Sequence, residues 1–137
     1  MKILCMSHGP LAKGMVETTE FIVGKSNEID YLCAYMDGSN DIDFMITNYL
    51  DQHNKESIIV ITDIFGGSIN NEWLKHLSKN DNIHLISGMN LSFIIELIMK
   101  TNSTFPIEEI IKDAMQTSKE SFIYCNSITY DQVMDDF

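Results

Sequence analysis

Apolar runs and helical spacings take turns along the chain. Ile3 to Met6 is a short apolar run that predicts a buried strand. Leu11 to Val23 then predicts a helix with Leu11, Met15 and Ile22 on its inner face, and Gly24 is placed to end it. Ile29 to Met36 predicts a second strand, closed by the turn residues Asp37-Gly38-Ser39-Asn40. From Asp41, the spacing of Ile42, Ile46, Tyr49 and Leu50 predicts an amphipathic helix. Ser57 to Thr62 carries Ile58, Ile59, Val60 and Ile61 in succession. An unbroken β-branched run is buried on both faces, as in a parallel sheet covered by helices. A helix from about Ser68 buries Ile69, Trp73 and Leu77, Ile83 to Ser87 is a fourth strand, and Leu91 to Lys100 a further helix. Pro106 opens a helix through about Glu120, with Ile107, Ile110, Ile111, Ala114 and Met115 facing inward. Ser121 to Cys125 is the candidate for a short fifth strand at an edge.

Strand and helix in alternation imply βαβ crossovers. The expected fold is therefore α/β: a doubly wound, mostly parallel sheet in the order 2-1-3-4, with helices on both faces. No repeat, linker or low-complexity stretch interrupts it, so residues 1–137 read as a single domain.

Charge narrows the function. Acidic residues outnumber basic ones 20 to 9, for a formal net charge of −11. Such a surface repels phosphate backbones and anionic lipid heads, which argues against nucleic-acid binding. Cys5, Cys33 and Cys125 lie in apolar runs with no C-x-x-C or zinc spacing, and read as buried free thiols of a reducing cytosol. The first residues do not resemble a signal peptide. The apolar stretch from Leu91 to Met99 is broken by Glu96 and is too short to span a bilayer. A cytoplasmic protein without membrane insertion is expected.

In an open α/β sheet, ligands bind beyond the carboxyl ends of the strands, where the strand order reverses. In the order 2-1-3-4 that crevice lies between the first and third strands. Ser7-His8-Gly9-Pro10 follows the first, and Thr62-Asp63-Ile64-Phe65-Gly66-Gly67-Ser68 follows the third. His8 and Asp63 would then face each other. A neutral imidazole attacks through one nitrogen only when the other carries the proton, and a carboxylate accepting that N–H fixes the tautomer. Gly66-Gly67-Ser68 leads into a helix N-terminus, where backbone N–H groups and the dipole favour an anion. Ser68 is placed to cap that helix, with a hydroxyl also free to donate to a phosphoryl oxygen. Gly9-Pro10 opens the first helix in the same way, so two helix N-termini would aim at a phosphate on His8. His53, His76 and His84 read as helix-end, surface and strand residues without a chemical role. Neither a Walker A lysine pattern, a G-x-G-x-x-G nor a G-x-S-x-G elbow occurs, and nothing here calls for a metal or nucleotide cofactor.

These residues resemble a known family, the IIA component of the mannose-type (mannose/fructose/sorbose) sugar phosphotransferase system. Ser7-His8-Gly9 is similar to the family's [TS]-H-G. Asp63-Ile64-Phe65-Gly66-Gly67-Ser68 with Asn71 is similar to its D-[LT]-[FWY]-G-G-S-P-x-N, and Gly88-Met89-Asn90-Leu91 to its G-x-N-x-P-M. Ile69 and Ser92 stand where the family commonly has proline. The resemblance implies a phosphotransferase component with His8 as a phosphohistidine, oriented by Asp63, with Gly9, Gly66, Gly67 and Ser68 around the phosphate. It implies HPr as donor and a separate IIB component as acceptor, acting with membrane components IIC and IID. It also implies a homodimer in which the last strand is exchanged. Two other roles suit the same crevice: phosphoryl donor subunit of a dihydroxyacetone kinase system, and an anion-binding regulatory module that never turns over.

Overall fold

The computed structural model of the chain describes residues 1–38, 40–129 and 131; Ser39 of the expected turn lies outside them. In chain order come β1 (Lys2–His8), α1 (Leu11–Val23), β2 (Ile29–Ala34), α2 (Ile42–Gln52), β3 (Ile58–Thr62), α3 (Ser68–Leu77), β4 (Ile83–Ser87), α4 (Leu91–Met99) and α5 (Ile107–Glu120). A 3-10 turn at Cys125–Ser127 follows. The strands form one parallel sheet in the order β2-β1-β3-β4, as the alternation predicts.

Every residue of β3 is buried because successive side chains enter opposite cores. Ile59 and Ile61, with Ile3 and Cys5 of β1, pack under α1, α4 and α5. Ile58 and Val60, with Leu4 and Met6, pack under α2 and α3. The sheet is thus covered on both faces, and polar residues collect at the carboxyl ends of β1 and β3. Among the described residues no helix is long and apolar enough to cross a membrane.

Four expectations need correction. The inner face of α1 is Ala12, Val16 and Thr19, with Met15 partly buried against the same core as expected, whereas Leu11 and Ile22 are exposed. Small side chains let the helix approach the sheet, and Thr19 satisfies its hydroxyl by donating to the Met15 carbonyl at 2.8 Å. Hydrophobicity alone selects two exposed residues here. Met115 of α5, also expected inside, is exposed as well. Ser121–Cys125 does not join the sheet of this chain. A hydrogen bond from Ser118 to Asn90 Oδ1 (2.9 Å) ties the end of α5 to the carboxyl end of β4. The chain emerges there, with Phe122, Ile123 and Tyr124 exposed and no ladder formed. Cys125 is consequently exposed, Cys33 half-buried and only Cys5 fully buried; burial pushes the Cys5 thiol up to about 12.

Candidate functional site

β1 runs two residues beyond its apolar run, and His8 pairs in register with Ala34 of β2. The imidazole therefore stands at the rim of the sheet, with its side chain 41% exposed. The main chain turns at once. Gly9 takes φ +62°, a region that ordinary residues avoid, and its N–H donates to the Ala34 carbonyl at 2.8 Å.

Asp63 follows β3 on the neighbouring strand. Its Oδ2 accepts from the His8 backbone N–H and from His8 Nδ1, both at 2.8 Å, and its Oδ1 accepts from the Ile64 N–H at 3.0 Å. Burial pushes this carboxyl up, but the backbone and ring hydrogen bonds from His8, its charge and the local N–H pull it down further. The net result lies below the ordinary carboxylate value. Asp63 is thus ionised at neutral pH, Nδ1 of the neutral ring must be the donor, and Nε2 keeps its lone pair.

On that open side lies Ser68, whose Oγ is 3.3 Å from Nε2. The expected cap role of Ser68 is not taken, because Gly67 is the N-cap and Ser68 the first residue of α3. Its hydroxyl is left free for the site. Gly67 is required by space: a Cβ there would stand 2.9 Å from Ile64 Cγ2 and 3.3 Å from His8 Cε1. Asn71 holds the loop by donating to the Gly66 carbonyl at 3.2 Å. No acidic residue occupies the first turn of α3, so its positive end is not neutralised.

The first helix offers less than expected. Pro10 is the N-cap of α1, and the Ala12 N–H already donates to Ser7 Oγ at 2.7 Å. Of the two helix N-termini expected to face a phosphate, that of α3 is therefore the better placed. His8, Asp63, Gly67 and Ser68 come together as read, Gly66 holds the turn at φ +81°, and the Gly9 N–H is committed to the Ala34 carbonyl.

One residue escaped the sequence reading. Tyr35 stacks on His8, with ring centroids 5.3 Å apart and planes 20° apart, and its hydroxyl lies 2.7 Å from Ser68 Oγ. The available signal was position alone: an aromatic residue at the carboxyl end of the strand beside β1. Of the other histidines, His84 lies within β4, in register with Ile59 of β3. His53 caps α2 and packs on Tyr49, while His76 pairs with Asp43 at 3.3 Å and meets Trp73 edge-on. Asp43, Glu72 and His76 are grouped closely enough to share an ion, although Glu72 is already engaged by Lys75 at 2.9 Å.

Residues 2–115 match the family profile described as PTS system fructose IIA component. The chain is 23% identical over 141 residues to the sorbose-specific EIIA component of Lacticaseibacillus casei, with both chains fully covered. A solved structure from Klebsiella pneumoniae, provisionally assigned as a permease of a phosphoenolpyruvate-dependent sugar phosphotransferase system, superposes with a TM-score of 0.85. It is 37% identical, over 92% of this chain and 91% of that one. The mannose/sorbose-specific IIA subunit of Enterococcus faecalis shares the fold at TM-score 0.74 and 22% identity, over 89% and 92% of the two chains.

Proposed function

Because the chain belongs to the family of fructose- and mannose-type IIA components of the sugar phosphotransferase system, we propose that it relays a phosphoryl group on His8. Phospho-HPr is the donor, and a IIB component the acceptor. IIB in turn phosphorylates a sugar entering through IIC and IID. The observation that carries this reading is the split of the imidazole: Nδ1 is held by ionised Asp63 at 2.8 Å, while Nε2 faces the exposed side beside Ser68.

In the transfer, the Nε2 lone pair forms a bond to phosphorus as the donor's N–P bond breaks and its electron pair returns to the donor imidazole. Asp63 offsets the positive charge that builds on the ring. The N-terminus of α3 and the Ser68 hydroxyl stabilise the phosphoryl oxygens. Exposed Leu11, Ile64 and Phe65 in the segments that follow His8 and Asp63 favour a protein donor over a small one, because they offer an apolar surface next to the acceptor nitrogen.

Incubation with phosphoenolpyruvate, enzyme I and HPr is expected to add one acid-labile phosphoryl group, read by intact mass and discharged on adding IIB. His8→Ala abolishes the adduct. A variant that still accepted phosphate would overturn the assignment.

Homodimer formation belongs to the same reading. β4 is one of the two outer strands of the sheet, and a groove between it and α5 is lined by Leu85, Ile86, Ile111 and Met115. Phe122 and Tyr124, at 94% and 75% exposure, are apolar side chains suited to such a groove in a second copy. Sedimentation is expected to give a dimer for the full chain and a monomer after deletion of residues 121–137. A monomeric full chain would remove the exchange.

A further inference from the structure

The end of β2 hangs over the candidate site. Strand pairing stops at Ala34, two residues short of the expected end, because Tyr35 turns out of the strand at φ 60°. A bulky non-glycine residue reaches this left-handed region only at a cost, and such strain is kept where the surroundings hold it in place. Here the held object is the Tyr35 side chain. It is 43% exposed, so packing in the core does not explain its place. It lies along the His8 imidazole and ends on Ser68.

The direction of each hydrogen bond follows from Asp63. The ionised carboxylate can only accept, so Nδ1–H donates to it and Nε2 of the neutral ring can only accept. Ser68 must then be the donor in the 3.3 Å contact with Nε2. With its one proton committed, Ser68 accepts from Tyr35 across 2.7 Å. The chain runs one way: Tyr35 O–H to Ser68 O–H to Nε2.

We propose that Tyr35 is a positioning residue for His8, its ring fixing the imidazole plane and its hydroxyl holding the Ser68 hydroxyl toward Nε2. The assignment rests on the phosphoryl-relay reading for its consequence, although not for its geometry. When phosphorus arrives at Nε2, the Ser68 proton leaves the lone pair for a phosphoryl oxygen. Tyr35 continues to donate to Ser68 Oγ, so the hydroxyl meets the phosphate already oriented. Without that bond, Ser68 turns freely and aligns less often.

Tyr35→Phe keeps the ring and removes only the hydroxyl. In the unphosphorylated protein, the His8 Nε2 resonance in ¹⁵N NMR is expected to move while the Nδ1–H signal stays in place. Ser68→Ala, which breaks the chain at its next link, must move the same resonance. Single-turnover phosphoryl acceptance by Tyr35→Phe is expected to fall about 3- to 10-fold, the effect of one neutral hydrogen bond. Half-saturation by phospho-HPr is unchanged. The double variant Tyr35→Phe/Ser68→Ala loses no more than Ser68→Ala alone, since both hydroxyls act through one link. An unmoved Nε2 resonance in either single variant, or losses that multiply in the double variant, would overturn the proposal. Moved resonances in both single variants, together with a wild type that accepts no phosphate, would sustain the positioning role and overturn the relay.

Discussion

Asp63→Asn is expected to slow phosphoryl acceptance by about 10²-fold or more with the fold retained. The carboxylate receives three N–H groups, two from His8 and one from Ile64. An asparagine amide offers only one accepting oxygen. If that oxygen faces His8, the tautomer survives, but the charge that offsets the developing imidazolium is gone and the NH₂ opposes the Ile64 N–H. If the amide is turned, its NH₂ opposes the His8 backbone N–H and donates to Nδ1, which places the ring proton on Nε2. That tautomer has no lone pair at Nε2, the nitrogen that meets phosphorus. Loss of the correct tautomer next to a carboxylate can cost up to about 10⁴-fold in rate. Rapid-quench measurement of labelled phosphate transfer from phospho-HPr reads the effect, with circular dichroism reporting the fold. An unchanged rate would remove Asp63 from the mechanism.

The same substitution has a pH signature. The folded-state pKa of Asp63 lies below its ordinary 3.8, so the ionised form stabilises the native state. This contribution is fully present above the ordinary value and disappears as pH falls through the lowered one. The stability gap between wild type and Asp63→Asn is therefore expected to be constant near neutrality and to close in acid. Denaturant titrations at several pH values measure it. A gap that widened on acidification would contradict the ionised assignment.

The pairing of His8 with Asp63 was legible because it follows from topology. Once the order 2-1-3-4 is inferred, the residues after β1 and β3 must be neighbours, and their chemistry can be read from the sequence. Gly67 was legible as a member of a glycine pair, although its reason is steric contact with His8 and Ile64 rather than only an open path for an anion. Tyr35 was not legible in the same way. Its contact with His8 depends on a left-handed backbone at one non-glycine residue, which no local pattern announces. The stripe on α1 failed for a different reason. Close packing on the sheet selects Ala12 and Thr19, whereas the larger Leu11 and Ile22 lie on the outside, where a hydrophobicity pattern does not expect them. Ser121–Cys125 has strand-like composition, but strand formation needs a paired partner edge, and within its own chain the segment leaves α5 without forming a ladder. For Tyr35 and the α1 stripe, tertiary geometry overrides a local preference.

Trp73→Ala is expected to have the largest effect on stability. The indole is fully buried in α3 among the residues beneath β1 and β3, and its Nε1–H donates to Met6 Sδ at 3.3 Å. Truncating a buried tryptophan removes its transfer free energy and leaves a cavity that the sheet above cannot fill, at a cost of about 3–5 kcal/mol. That is a large part of the roughly 5–15 kcal/mol that holds a domain folded. Because Trp73 is the sole tryptophan, far-UV circular dichroism in urea has to replace fluorescence as the probe. The loss should extend to transfer. Met6 lies two residues before His8, and Ser68 begins the helix that Trp73 anchors, so the indole fastens both sides of the crevice from below. Trp73→Phe preserves most of the ring volume and gives up the N–H, and is expected to retain most of the stability and the transfer rate. A loss below about 1.5 kcal/mol in Trp73→Ala, well under the range for a large buried side chain, would mean that α3 is held to the sheet by other contacts. The geometry of Ser68 at His8 would then rest on the Asn71 and Tyr35 bonds instead.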